Sequence, residues 1–355
     1  MNKSKFRFNA LVLSLLAALL FISAVGAAPK DGPSVSLSLA QGEFNASQDV
    51  LVTVTISNPH KHTVRVLKWF TPADGLMEEP LFTVTRDGQP VAYTGAHYKR
   101  PGVTGKDYIS LKAGESRTSV INLGDYYDLT ASGTYDITYA VASFNLFDEK
   151  GNAFAFTDVL ASEKVSAKVE ARAAKGKPTP PPPPPPGGNS FIACSADQQS
   201  QLVSARSQAK VYASDAEKYL NRSNPGPRYT TWFGVFSTAR YNTVRSNFTA
   251  ISDAMDNAGV TFDCKCKQKY YAYVYSNEPY KIYLCQAFWS APLSGTDSKA
   301  GTLIHEMSHF DVVAGTNDWA YGQTAAMNLA STDPDRAVTN ADSHEYFAEN
   351  TPPLP

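Results

Sequence analysis

The chain has 355 residues, 43% of them hydrophobic and 12% aromatic, with a formal net charge of −1. That length allows two domains, and the composition is ordinary for globular protein. A charge this close to zero gives no electrostatic footprint for nucleic acid, which is excluded as a partner.

The chain opens Met1-Asn2-Lys3-Ser4-Lys5-Phe6-Arg7, runs apolar over residues 10–22 and reaches small residues at 24–28. A basic start, a short apolar core and a small-residue exit predict a secretory signal peptide over 1–27. The apolar run falls short of the ~18–20 residues that cross a membrane, and no later segment qualifies, so the expected product is secreted, without a membrane anchor.

From residue 35 to about 171 the side chains alternate with period two, in runs at 35–39, 50–56, 81–85, 89–93, 119–123 and 135–139. Asp87-Gly88 between two of them is a hairpin signal. Several short strands at this spacing predict an all-β, immunoglobulin-like sandwich over 28–174. No constellation in it suits chemistry. His60 and His62 follow Asn58-Pro59 and read as a solvated loop. Acceptor patterns for glycosylation begin at Asn45, Asn221 and Asn247.

A linker at 175–190 carries seven consecutive prolines, 180–186, then Gly187-Gly188. Proline fixes φ and removes a donor, so this is an extended spacer between domains. Exposed backbone of this kind is where proteases cut.

Residues 191–355 read as an α+β, mostly helical domain. Segments 195–220 and 231–257 have few breakers and helical apolar spacing. Runs at 271–275 and 282–284 flank Ser276-Asn277-Glu278-Pro279 as a small hairpin. Cys194, Cys264, Cys266 and Cys285 are an even set in an exported chain, hence two disulfides with three possible pairings.

A helix beginning near Asp297 or Ser298 would carry His305-Glu306-Met307-Ser308-His309. Histidines four residues apart project from one helical face, so both imidazoles reach one cation while Glu306 sits beside them. Catalytic zinc takes three protein ligands and keeps one position open. Asp318, just after a turn containing Gly315, is the expected third ligand. An amphipathic helix with two incidental histidines is the bland alternative; its apolar residues fit either reading.

After Cys285 two basic residues stand against nine acidic ones. Asp342 and Glu345 lie three apart, on one face of a helix if the segment is helical, where like charges destabilise unless a cation joins them. A lysine ammonium, a compact charge with three donors, suits that place.

His305-Glu306-x-x-His309 followed by Gly315-Thr316-x-Asp318-x-x-Tyr321-Gly322 resembles the aspzincin (deuterolysin) metallopeptidases. One residue between Thr316 and Asp318, where the broad pattern has two, is closer to the peptidyl-lysine metalloendopeptidase branch. The resemblance runs from Cys194 to the end. It implies a zincin-type domain with one zinc on His305, His309 and Asp318, and a precursor whose N-terminal half restrains or helps fold the enzyme. It also implies the pairs Cys194–Cys264 and Cys266–Cys285, and a lysine pocket lined by Asp342 and Glu345.

The expected activity is hydrolysis of protein and peptide substrates on the amino side of lysine. Glu306 would act as general base and Tyr321 as donor to the oxyanion. His344 is left structural. If lysine follows the cut bond, Ala174-Lys175 and Gly176-Lys177 are self-processing sites. The rival readings are a deuterolysin-like protease of broad specificity and a non-catalytic exported binding module with structural zinc.

Overall fold

The computed structural model describes residues 32–143, 146–147, 158–173, 186–222 and 225–355. The expected signal peptide, nearly all the proline run and the two linker lysines lie outside them.

Alternation builds the N-terminal half. Strand Leu51–Ser57 buries Val52, Val54 and Ile56 and exposes or half-exposes the residues between. It pairs antiparallel with Ser34–Leu39 on one side and Ser116–Asn122 on the other. A second sheet centres on Gly133–Ser143, flanked by Phe82–Arg86 and Val165–Val169, both antiparallel to it. Val52, Val54, Ile56 and Ile121 of the first sheet share one apolar core with Val84, Ile137 and Tyr139 of the second. This is a β-rich half, as the period-two pattern predicts.

The Asp87-Gly88 hairpin forms, Arg86 opposite Gln89, with φ of 49° and 80° at its two turn residues. Positive φ at both is what a two-residue turn needs to match strand twist. The expected strand at 89–93 shrinks to Gln89–Pro90.

In the C-terminal half a mixed sheet runs in the order Asn189–Ile192, Val260–Asp263, Lys281–Leu284, Ala272–Tyr275. The first two pairings are parallel and the last antiparallel. Helix Ala196–Leu220 starts at a capping box in which Ser195 and Gln198 satisfy each other's backbone N–H. Its small buried residues Ala205, Ala209, Ala213 and Ala216 let helices Thr238–Asn257 and Lys299–His309 approach closely.

The segment 231–257 is not one helix, because Gly234 at φ 79° ends helix Pro227–Phe233 before Thr238–Asn257 begins. Disulfides join Cys194 to Cys264 and Cys266 to Cys285, the second pinning the hairpin strands near their bases. Among the described residues no helix is long and apolar enough to cross a membrane.

The two halves share a sheet. Strand Ala96–Lys99, from the N-terminal half, adds antiparallel to the edge strand Ala272–Tyr275, with Tyr98 opposite Tyr273 and Lys99 opposite Ala272. The sequence carries no sign of this strand: Ala-His-Tyr-Lys does not alternate, and its partner lies in the other half.

Candidate active site

Helix Lys299–His309 is capped by Ser298, whose hydroxyl accepts from the Gly301 backbone N–H, and every one of its residues is buried. Helix Ala341–Glu349 lies across it. Gly301 permits this: a Cβ there would run into the Glu349 carboxylate and the Glu345 side chain. The close approach brings Asp342 and Glu345 to His305.

His305 and His309 face each other with their Nε2 atoms 3.1 Å apart. Beyond the helix the chain turns at Gly315, φ 56°, and Thr316 bonds back through its N–H to the Ser308 carbonyl at 3.1 Å. The Asn340 side chain then accepts from the backbone N–H groups of Trp319 and Ala320 at 2.9 and 3.1 Å. Pinned from both sides, the loop aims Asp318 at the histidines. Its Oδ1 is 3.2 Å from His305 Nε2 and its Oδ2 3.4 Å from His309 Nε2.

These spacings suit a metal. Zinc bonds of about 2.0–2.1 Å in tetrahedral array set neighbouring ligand atoms about 3.3 Å apart. Both Asp318 oxygens are buried without a hydrogen bond. His309 Nδ1 lies 2.8 Å from the Thr316 carbonyl, so with the proton there Nε2 keeps a free lone pair. His305 Nδ1 lies 2.8 Å from Asp342 Oδ1, an arrangement that would fix and support the imidazole if Nε2 held a metal. Electrostatics agree. Burial opposes a cation at His305, yet Asp318, Asp342 and Glu345 hold its pKa well above the usual imidazole value. Burial opposes an anion at Asp318, yet His309 and His305 keep it well below the usual carboxylate range. A donor set of two imidazoles and one carboxylate fits zinc.

Glu306 is fully buried and neither carboxylate oxygen has a hydrogen-bond partner; burial pushes its pKa to about 8. His344 is held by the Asn340 carbonyl at 2.9 Å and the Asn247 amide at 3.0 Å, so the structure leaves it in the core. His60 and His62 stack on each other in a loop.

Asp342 and Glu345 do share one helical face, and a lysine ammonium lies against them. It belongs to Lys99 of the added strand. Lys99 Nζ is 3.0 Å from Asp342 Oδ1, 2.7 Å from Glu345 Oε2 and 3.1 Å from Asp297 Oδ1, with the Tyr346 ring 5.1 Å away. Lys99, Asp342 and Glu345 have no solvent-exposed side-chain surface. Burial works against the Lys99 charge, but the Asp342 and Glu345 carboxylates raise its pKa well above the usual lysine value.

Asp297 is the acidic member that sequence reasoning missed. It sits at φ 51° immediately before the helix cap, and a negative residue at a helix start was signal for the helix alone.

Tyr321 is not free to act on a carbonyl in this structure. Its hydroxyl donates to Glu79 Oε1 at 2.5 Å and accepts from Arg100 Nη1 at 2.6 Å, and its ring packs edge-on against Trp69. Glu79 and Arg100 form a buried ion pair of their own. All three partners come from the N-terminal half, and neither composition nor spacing announced them.

The aspzincin family model, described as lysine-specific metallo-endopeptidase, matches residues 218–349. The chain is similar to an extracellular protease of Aeromonas hydrophila, 44% identical over 90% of this chain and 93% of that protein. It is 35% identical to the peptidyl-Lys metalloendopeptidase of Grifola frondosa, over 97% of this chain and 99% of that one. A solved structure of a zinc peptidase from Grifola frondosa is 49% identical, with a TM-score of 0.45, covering 46% of this chain and 100% of the other.

Proposed function

Because the chain belongs to the aspzincin family and is a zinc metalloendopeptidase, we propose that it cuts peptide bonds on the amino side of lysine and is exported as a self-blocked precursor. The observation that carries the specificity is the ammonium of Lys99 buried among Asp342, Glu345 and Asp297. A compact cation with three donors meets three carboxylates there.

His305, His309 and Asp318 would hold one zinc ion, which supplies a Lewis acid for the scissile carbonyl and lowers the pKa of an attacking water. Glu306 accepts the proton of that water on its carboxylate and returns it to the leaving amine of the lysine residue. Its buried, unpartnered oxygens suit a group that receives and gives up a proton within one turnover. Tyr321, once released by Glu79 and Arg100, donates its hydroxyl to the oxyanion. Asp342 would serve twice, beside His305 Nδ1 and, where Lys99 now stands, beside the substrate lysine.

We assign 1–27 to a signal peptide, 28–174 to an immunoglobulin-like sandwich acting as propeptide, 175–190 to the linker and 191–355 to the catalytic domain. Secretion rests on the leader pattern and accords with the name of the Aeromonas relative. The sandwich is read as an intramolecular inhibitor. Strand Ala96–Lys99 lies on the sheet edge as an extended peptide would, through main-chain pairing with one side chain in a pocket. It sets the Tyr98–Lys99 bond in the register of a substrate. Final separation would come in the linker, at Ala174-Lys175 or Gly176-Lys177.

The test compares kcat/KM of processed, zinc-loaded enzyme on two peptides differing only by lysine or norleucine after the scissile bond. Norleucine keeps the stem and lacks the charge. A drop of at least about 100-fold is expected, since an unpaired buried carboxylate cluster forfeits ~3 kcal/mol or more. Equal rates would leave the protease and remove the lysine pocket.

A further inference from the structure

Among the described residues, His97 also reaches the histidine pair. It precedes Lys99 by two on the same strand, and period two sends both side chains to the same face. Lys99 goes to the carboxylates behind His305; His97 goes to the metal-binding histidines themselves. Its ring stacks on His309, centroids 4.6 Å apart at 23°, with the Tyr93 ring edge-on behind it at 5.6 Å. Its side chain is buried, and Nδ1 has no hydrogen-bond partner. A ring nitrogen of His97 and one ligand atom each of His309 and Asp318 lie within 4.8 Å of one another.

We propose that His97 is a fourth metal ligand present only in the precursor. The inference rests on the assignment of His305, His309 and Asp318 as the zinc site. Three protein ligands leave one position open for chemistry, and an imidazole from the N-terminal half closes it. This accounts for a feature that lysine docking alone does not explain. A lysine in its pocket places the Tyr98–Lys99 bond where a substrate is cut, so an occupied pocket by itself would invite cleavage. With His97 on the metal, neither the Tyr98 carbonyl nor a water has a position there. The strand then works as two linked plugs, Lys99 for specificity and His97 for reactivity. Undocking of the strand removes both together and restores the open position.

The test uses the full-length chain carrying Glu306→Ala, which prevents self-cutting, loaded with cobalt(II) in place of zinc. Each cobalt-bound imidazole contributes one strongly shifted, exchangeable N–H proton to the NMR spectrum. Three such signals are expected, falling to two in His97→Phe and to two in the isolated catalytic domain obtained by cutting the linker. The precursor with His97→Phe should also bind its metal at least about 10–100-fold more weakly in competition with a chelator, the range that losing even an outer partner of a ligand produces. Two signals in the precursor itself would overturn the role of His97 and leave the three-ligand site standing. No shifted imidazole signal at all would overturn the site and the proposal with it. The count in the precursor needs no change at position 97, so a poorly folding variant does not spoil it.

Discussion

Replacing Lys99 by alanine in the Glu306→Ala precursor should release the added strand from the catalytic sheet. The ammonium is fully buried and meets Asp342, Glu345 and Asp297 at 3.0, 2.7 and 3.1 Å. Removing one partner of a buried ion pair costs about 3–5 kcal/mol, because the charges left behind are desolvated and uncompensated. At 1.4 kcal/mol per factor of ten, docking weakens by about two to three and a half orders of magnitude. The backbone reports it directly. Tyr271 N–H donates to the Lys99 carbonyl at 2.9 Å, and the residues of Ala272–Tyr275 pair with Ala96–Lys99. Amide hydrogen exchange over 271–275 should accelerate in the variant by a comparable factor, while the buried central strand Val260–Asp263 stays protected. Lys99→Arg should fall between, since a planar fork does not reproduce a compact charge among three carboxylates. Unchanged exchange at the edge strand in Lys99→Ala would refute the claim that the ammonium holds the two halves together.

Other substitutions separate the roles of the site. In the processed enzyme Glu345→Gln should raise KM for lysine peptides and weaken metal binding less than a change at Asp342, since Glu345 Oε2 stands 3.4 Å from His305 Nδ1 against 2.8 Å for Asp342 Oδ1. Asp342→Asn should do both harms, with metal affinity down about 10–100-fold by competitive chelation, because Asp342 also stands behind His305. Tyr321→Phe should lower kcat of the processed enzyme about 100- to 1000-fold with little change in KM, the cost of one oxyanion donor. In the precursor the same change should speed exchange at the interface, since the hydroxyl joins Glu79 and Arg100. Gly301→Ala forces a Cβ into the Glu349 carboxylate and should destabilise the catalytic half by about 1–3 kcal/mol in denaturant titration. A stability equal to that of the parent would show that the two helices can slide apart freely.

What the sequence made legible at this site was whatever depends on local spacing. His305 and His309 four apart and Asp342 and Glu345 three apart each encode their geometry within one element, as the Asp87-Gly88 turn does far from the site. Asp318 was found because a glycine turn brings it back to the helix within nine residues of His309. Strand Ala96–Lys99 was not found, because its order comes from pairing with residues more than 170 positions away, and its side chains His97 and Lys99 meet His309 and the Asp342 and Glu345 carboxylates rather than an apolar core. The engagement of Tyr321 by Glu79 and Arg100 was hidden for the same reason. Gly234 was legible in principle: a glycine between two apolar stretches marks a helix end, yet the long breaker-poor segment around it read as continuous.

The most direct measurement of the central claim is digestion of a denatured, lysine-containing protein by processed, zinc-loaded enzyme beside its Glu306→Ala variant, with new N-termini read by mass spectrometry. New ends that begin with lysine, absent from the variant digest and abolished by metal removal, are predicted. Ends scattered over other residues would contradict the Asp342/Glu345 pocket, and equal cutting by the variant would contradict Glu306 as the base.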